Sequence, residues 1–198
     1  MTRNVLALLL LITSLSVQSD ETTPWPFEGL EGVSGTFTSE TKGSSGDTLR
    51  SSGRFSSLKP DHYLWDIQTP DSQMLVVNPA GFWQIDRDLD VVILRDVPSS
   101  TQLPLAKIWL SESELTAFAN EVAEGSMEAI SAFELRVVSP TLLEMRLADP
   151  LGRDTRFQLT IESTVTPTHE EFDVQVPPDV DFFDERSVKP TSNAEALK

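Results

Sequence analysis

The chain has 198 residues, no cysteine, and 15 basic against 31 acidic side chains, for a formal net charge of −16. Without cysteine there is no disulfide, no thiol nucleophile and no thiolate metal site. The acidic balance argues against a nucleic-acid footprint and against tight docking on anionic headgroups, and the length suits one domain with a real core.

The N-terminus opens with one positive side chain, Arg3, and continues into Val5–Val17, which is almost wholly apolar. Val17-Gln18-Ser19 then places small residues three before and one before a cut after Ser19. This pattern predicts a secretory signal peptide over residues 1–19. A helix of that apolar length reaches ~20 Å, short of the ~30 Å needed to cross a bilayer. The mature protein is therefore expected to be soluble in an exported compartment, with a folded domain over 20–186 and a flexible polar tail over 187–198.

Asp20–Gly32 carries Pro24, Pro26, Gly29 and Gly32, which disfavour a long helix; Trp25, Phe27 and Leu30 can still pack as an irregular cover. Strands are predicted at Gly35–Glu40 and Leu49–Ser57, with KGSSGD between them as a turn. A meander follows in which Tyr63–Ile67, Met74–Val77, Phe82–Ile85 and Leu89–Leu94 are separated by Pro, Gly, Asn and Asp. Pro98–Gln102 is read as a loop. Leu103–Leu110 is apolar, with Pro104 suited to a helix start. Ser111 caps a second short helix, with acids in its first turn and Leu115, Phe118, Ala119 and Val122 on one face. Alternation then predicts strands at Phe133–Val137, Leu143–Leu147, Phe157–Ile161 and Phe172–Val176, each with one apolar and one wet face.

No nucleophile elbow, phosphate loop or dinucleotide fingerprint is present. His62 and His169 fall on different predicted strands with no ligand spacing, so they read as surface histidines; no metal, no cofactor and no catalytic residue is expected. What remains is an apolar inventory spread over nearly every strand, and few segments to cover it. Either the sheet curls into an ordinary packed barrel, or a cavity stays open beneath a thin lid. Composition leaves the two equal.

The motifs, taken in order, resemble a known family. Gly53-Arg54-Phe55, Lys59-Pro60 through Trp65, Thr69-Pro70, Met74–Val77 and the pair Phe82-Trp83 are similar to the meander of the outer-membrane lipoprotein carrier family, LolA. The Pro104–Leu110 segment, the Asp149–Thr155 hairpin and the closing Phe172–Asp181 stretch also resemble that family. The resemblance implies a mainly β fold: an unclosed antiparallel half-barrel with a short helical lid over an apolar cavity. It implies a periplasmic, monomeric carrier that shields lipoprotein acyl chains between an inner-membrane exporter and an outer-membrane receptor.

On that basis Phe37, Phe55, Tyr63, Trp65, Met74, Phe82 and Trp83 are expected to line or border the lipid site, although strand parity alone does not say which of Phe82 and Trp83 points inward. The family's lid-latching arginine is Lys59 here, and its N-terminal helix gives way to the Pro- and Gly-rich Trp25–Gly32 segment. Ser51–Phe55 also resembles LolA-like proteins that accompany lipid and pigment synthesis, so a divergent carrier of another lipid, or an accessory protein of such a pathway, is the alternative. A structural adaptor with a filled core and a carboxylate hydrolase are the readings from other classes.

Overall fold

The computed structural model describes residues 25–97, 104–127 and 129–187. The leader expected over 1–19, the Pro98–Gln102 loop and the tail beyond Ser187 lie outside the described residues.

Among the described residues ten strands make one sheet: β1 (Gly32–Lys42), β2 (Thr48–Leu58), β3 (His62–Thr69), β4 (Gln73–Asn78), β5 (Gly81–Asp86), β6 (Val91–Arg95), β7 (Ala132–Ser139), β8 (Leu142–Ala148), β9 (Asp154–Ser163) and β10 (Asp181–Asp184). Their spatial order is β10-β6-β5-β4-β3-β2-β1-β9-β8-β7, so the outer strands do not pair and the sheet stays open. Every pairing is antiparallel except β10 with β6. The sheet nevertheless curls: Trp65 of β3 and Phe157 of β9, three strands apart in that order, have ring centroids 5.6 Å apart, where a flat sheet would hold them about 14 Å apart. Gly35 and Gly53 help it bend. Each sits where the register shifts by a residue, and a Cβ at either would lie 1.9 Å from a neighbouring carbonyl oxygen.

Two faces emerge from the register. Val137, Leu143, Leu159, Phe37, Gly53 and Ile67 are successive cross-strand partners and form one row of the concave face. On the opposite face of β7–β9, Arg146 lies 3.1 Å from Glu134 and 2.8 Å from Asp154, and Arg136 pairs with Glu144. That lattice of charges is a solvated surface, worth little per pair. Its clearest electrostatic mark is Asp154, whose carboxyl is held below the usual range by hydrogen bonds from Arg146.

Mid-chain, a 3-10 turn (Pro104–Trp109) leads into helix α1 (Glu112–Ala123). Ser111 and Glu114 form a reciprocal capping box at the start of α1, and these bonds lower the Glu114 carboxyl. Leu115, Phe118 and Val122 are its buried residues and face Phe133 and Met145.

Two expectations fail. Strand β6 begins at Val91 rather than Leu89, because Asp90 turns with φ 54° and Leu89 is left exposed. The strand expected at Phe172–Val176 is not formed. Instead His169–Phe172 is a 3-10 turn with its own capping box from Thr168 and Glu171, and the closing strand is Asp181–Asp184, parallel to β6. Phe172 serves the opposite face: it is fully buried against Leu58, Val76, Trp83, Val92 and Leu94 on the back of β2–β6. That half of the sheet is therefore covered on both faces.

Candidate functional site

The concave face is centred on β3. Trp65 stacks on Phe37 of β1 with ring centroids 3.9 Å apart, leans over Phe55 of β2 at 6.2 Å and meets the edge of Phe157 of β9 at 5.6 Å. This gathering needs Gly53, which lies opposite Phe37 in the ladder; a Cβ there would stand 3.0 Å from the Phe37 ring. Phe37 and Phe55 are buried, whereas Trp65 and Phe157 are half-buried.

Among the described residues three segments cover the face: the Trp25–Leu30 turn, the 3-10 turn and α1. Phe27 and Ile108 are the buried anchors of the first two. Trp109 joins the cover to the sheet. Its ring meets Phe27 edge-on at 5.8 Å, its Nε1–H donates to Ser57 Oγ at 2.7 Å, and the Lys59 ammonium lies 4.9 Å above it. The Lys59 N–H donates to the Glu31 carbonyl at 2.8 Å, so the same residue also ties the first segment down. Below it, Tyr63 donates its hydroxyl to the Pro60 carbonyl at 3.0 Å; burial, helped by Asp61, pushes that phenol up to about 12 and keeps it neutral. Lys107 is buried in the joint between the 3-10 turn and α1, its ammonium 3.9 Å from the centre of the Phe118 ring. Burial lowers its pKa, with Glu121 acting in the opposite sense.

Space remains where the cover meets the sheet edge. A cleft of about 510 Å³ lies between α1 and β7, walled by Trp25, Leu115, Ala119, Phe133, Leu135 and Val137, with exposed Glu112, Glu134 and Arg136 also lining it. Its volume falls within the ~300–1,000 Å³ of small-molecule sites. The indole N–H of Trp25 is buried beside an apolar wall and has no acceptor among the described residues.

The residues expected at the site divide. Phe37, Phe55, Tyr63, Trp65 and Phe82 share the concave-face cluster. Met74 and Trp83 do not: both pack in the opposite cluster around Phe172, where Asn78 Oδ1 accepts the Trp83 indole N–H at 3.1 Å. The register explains the division. Phe82 pairs with Val77 and, through it, with Tyr63, whereas Trp83 pairs with Val76. Lys59 is at the cover, reaching it through a ring face rather than a planar fork. Sequence reasoning does not single out Ser57, Lys107, Ile108 and Trp109; the one lysine and one tryptophan within the apolar run LPLAKIWL are the available signal.

If Lys59 restrains the cover, Lys59→Ala should speed amide exchange at Leu110, whose N–H bonds to the Lys107 carbonyl, by about two- to five-fold, the equivalent of ~0.5–1 kcal/mol of cation–π attraction. Lys59→Arg should leave it near wild type. Among the described residues no group of three or more His, Asp or Glu is placed to hold a metal ion, and no helix is long and apolar enough to cross a membrane.

The profile of the family described as "Outer membrane lipoprotein carrier protein LolA" matches residues 28–175. The chain belongs to the LolA family. Relatives named outer-membrane lipoprotein carrier protein include one from Alkalilimnicola ehrlichii, 29% identical over 80% of this chain and 80% of its own length. Another, from Francisella tularensis subsp. novicida, is 26% identical over 72% of this chain and 76% of its own. A third, from Shewanella amazonensis, is 22% identical over 79% and 84%. The LolA match takes in β1–β9, the 3-10 turn and α1, and ends before β10.

Proposed function

We propose that the protein is a periplasmic carrier that shields lipoprotein acyl chains against the concave face and passes them from an inner-membrane exporter to an outer-membrane receptor. Membership of a family described as carriers supports this reading. The observation that carries it is the cover itself. An aromatic surface is roofed by short segments joined to the sheet through Trp109, which one hydroxyl and one ammonium hold.

A carrier must hide its cargo and then release it. At ~0.8 kcal/mol per buried CH₂, a long acyl chain in water costs on the order of 10 kcal/mol, so an apolar wall suffices for holding. Release needs a cover with few polar attachments, and no reacting group. Phe37, Phe55, Tyr63, Trp65 and Phe82 are the lining; Lys59 over Trp109 is the latch; the cleft between α1 and β7 is where a chain enters. Once the cover lifts, the Trp25 N–H would be a donor for a cargo carbonyl. A monomer is sufficient, since cover and face come from one chain.

A carrier of another lipid is the second reading, favoured by a cleft whose volume suits one chain rather than several. Organic extraction of the purified exported protein, followed by mass spectrometry, tests both. The carrier reading expects acyl-bearing molecules near one equivalent, and their identity separates lipoprotein from free lipid. Protein that carries none, and takes up neither a triacylated peptide nor a fatty acid, would overturn both.

A further inference from the structure

We propose that His62 and His169 form a two-imidazole site for a divalent transition-metal ion of the Zn²⁺ and Cu²⁺ class, which clips the C-terminal segment onto the back of the half-barrel. They are the two histidines of the chain, they lie 107 positions apart, and the fold brings His62 Nε2 to 3.3 Å from His169 Nδ1. The surface reading is corrected for His62, first residue of β3, which is buried. His169 opens the 3-10 turn and is exposed, so an ion can reach the pair from solvent.

The separation suits metal binding. Two nitrogens each about 2.0–2.1 Å from a tetrahedral ion stand ~3.3–3.4 Å apart. The rings do not meet end to end: their centroids are 4.7 Å apart and their planes cross at 66°, so the facing nitrogens lie off the line that joins the ring centres. The far side of His62 supports the same arrangement. Its Nδ1 makes no in-line hydrogen bond, but the Asp61 carboxylate lies 3.0 Å away. The nearby negative charge favours the tautomer with its proton on Nδ1, which leaves Nε2 as the ligand atom. Phe172 presses on His62 at 5.4 Å and fixes the ring from the third side. With two protein ligands, water completes the shell, and imidazole donors favour Cu²⁺ and Zn²⁺ over Mg²⁺ or Ca²⁺.

The consequence is structural. His62 belongs to β3, while His169 begins the stretch that runs through Phe172 to β10. A bound ion would tie the two and stabilise the folded chain by mass action.

The full chain titrated with Cu²⁺ is the test. One ion should bind with a spin-resonance signal split by two nitrogens, and added Zn²⁺ should raise Tm with increasing concentration. His169→Ala, at an exposed position, should keep the fold while losing at least about tenfold in affinity. His62→Gln should also weaken binding and reduce the splitting to that of one nitrogen. Unchanged binding by a folded His169→Ala protein, or a wild-type signal showing oxygen ligands alone, would overturn the assignment.

Discussion

Trp65→Glu should lower uptake of an acylated peptide by more than about a hundredfold, the equivalent of ~3 kcal/mol. Trp65 touches Phe37, Phe55 and Phe157, so the new carboxylate would stand in the middle of the apolar lining. A bound chain would have to strip water from that charge without offering a hydrogen bond in return. The wild-type indole also contributes ring packing of ~0.5–1.5 kcal/mol per aromatic pair, so some loss of stability is expected. Trp65→Leu separates the two effects: it removes the stack but keeps the surface greasy, and should hold uptake within about tenfold of wild type. A folded Trp65→Glu protein with normal uptake would show that the chain lies elsewhere.

Phe172→Ala should be the most damaging single truncation on the back of the sheet, costing about 3–5 kcal/mol in urea unfolding. The ring is fully buried among side chains of β2, β4, β5 and β6. Its carbonyl is also bound, accepting from Asn78 Nδ2 at 2.8 Å, while Asn78 Oδ1 takes N–H groups from Ala80 and Trp83. Removing the ring leaves a cavity beneath that network and loosens the start of the segment ending in β10. Amide exchange should therefore rise at Asp181, whose N–H bonds to the Asp90 carbonyl, and at Glu185, which bonds to Leu94. A loss under about 1 kcal/mol would mean that the segment is held by β10 pairing alone.

Most of the sheet is legible in the sequence because β1–β3 and β7–β9 combine alternation with turn residues. Helix α1 is legible from Ser111, Glu114 and its apolar spacing. The pattern misleads where two faces are buried at once. Met74-Leu75-Val76-Val77 is a continuous apolar run, the mark of a strand covered on both sides; it does not say that Met74 belongs to the back face, and only the register decides for Phe82 over Trp83 on the concave one. Phe172, Val174 and Val176 alternate as a strand would, but Thr168 and Glu171 form a capping box immediately before them. Nothing local marks Asp181–Asp184 as a strand; its pairing with β6 and the stacking of Phe182 on Trp83 arise only in the fold. The contacts of Trp109 with Ser57 and Lys59, and of His62 with His169, join residues too far apart in sequence for any spacing rule.

Carriage as proposed requires an acyl chain to lie on the concave face beneath the cover. A triacylated peptide with a photoreactive diazirine on one chain can be bound, irradiated and its adducts mapped by mass spectrometry. Adducts are expected on Trp65, Leu135, Phe133 or Leu115, all on the concave face or its α1 wall. Adducts confined to the back cluster around Met74, Trp83 and Phe172, or none at saturating peptide, would contradict that placement.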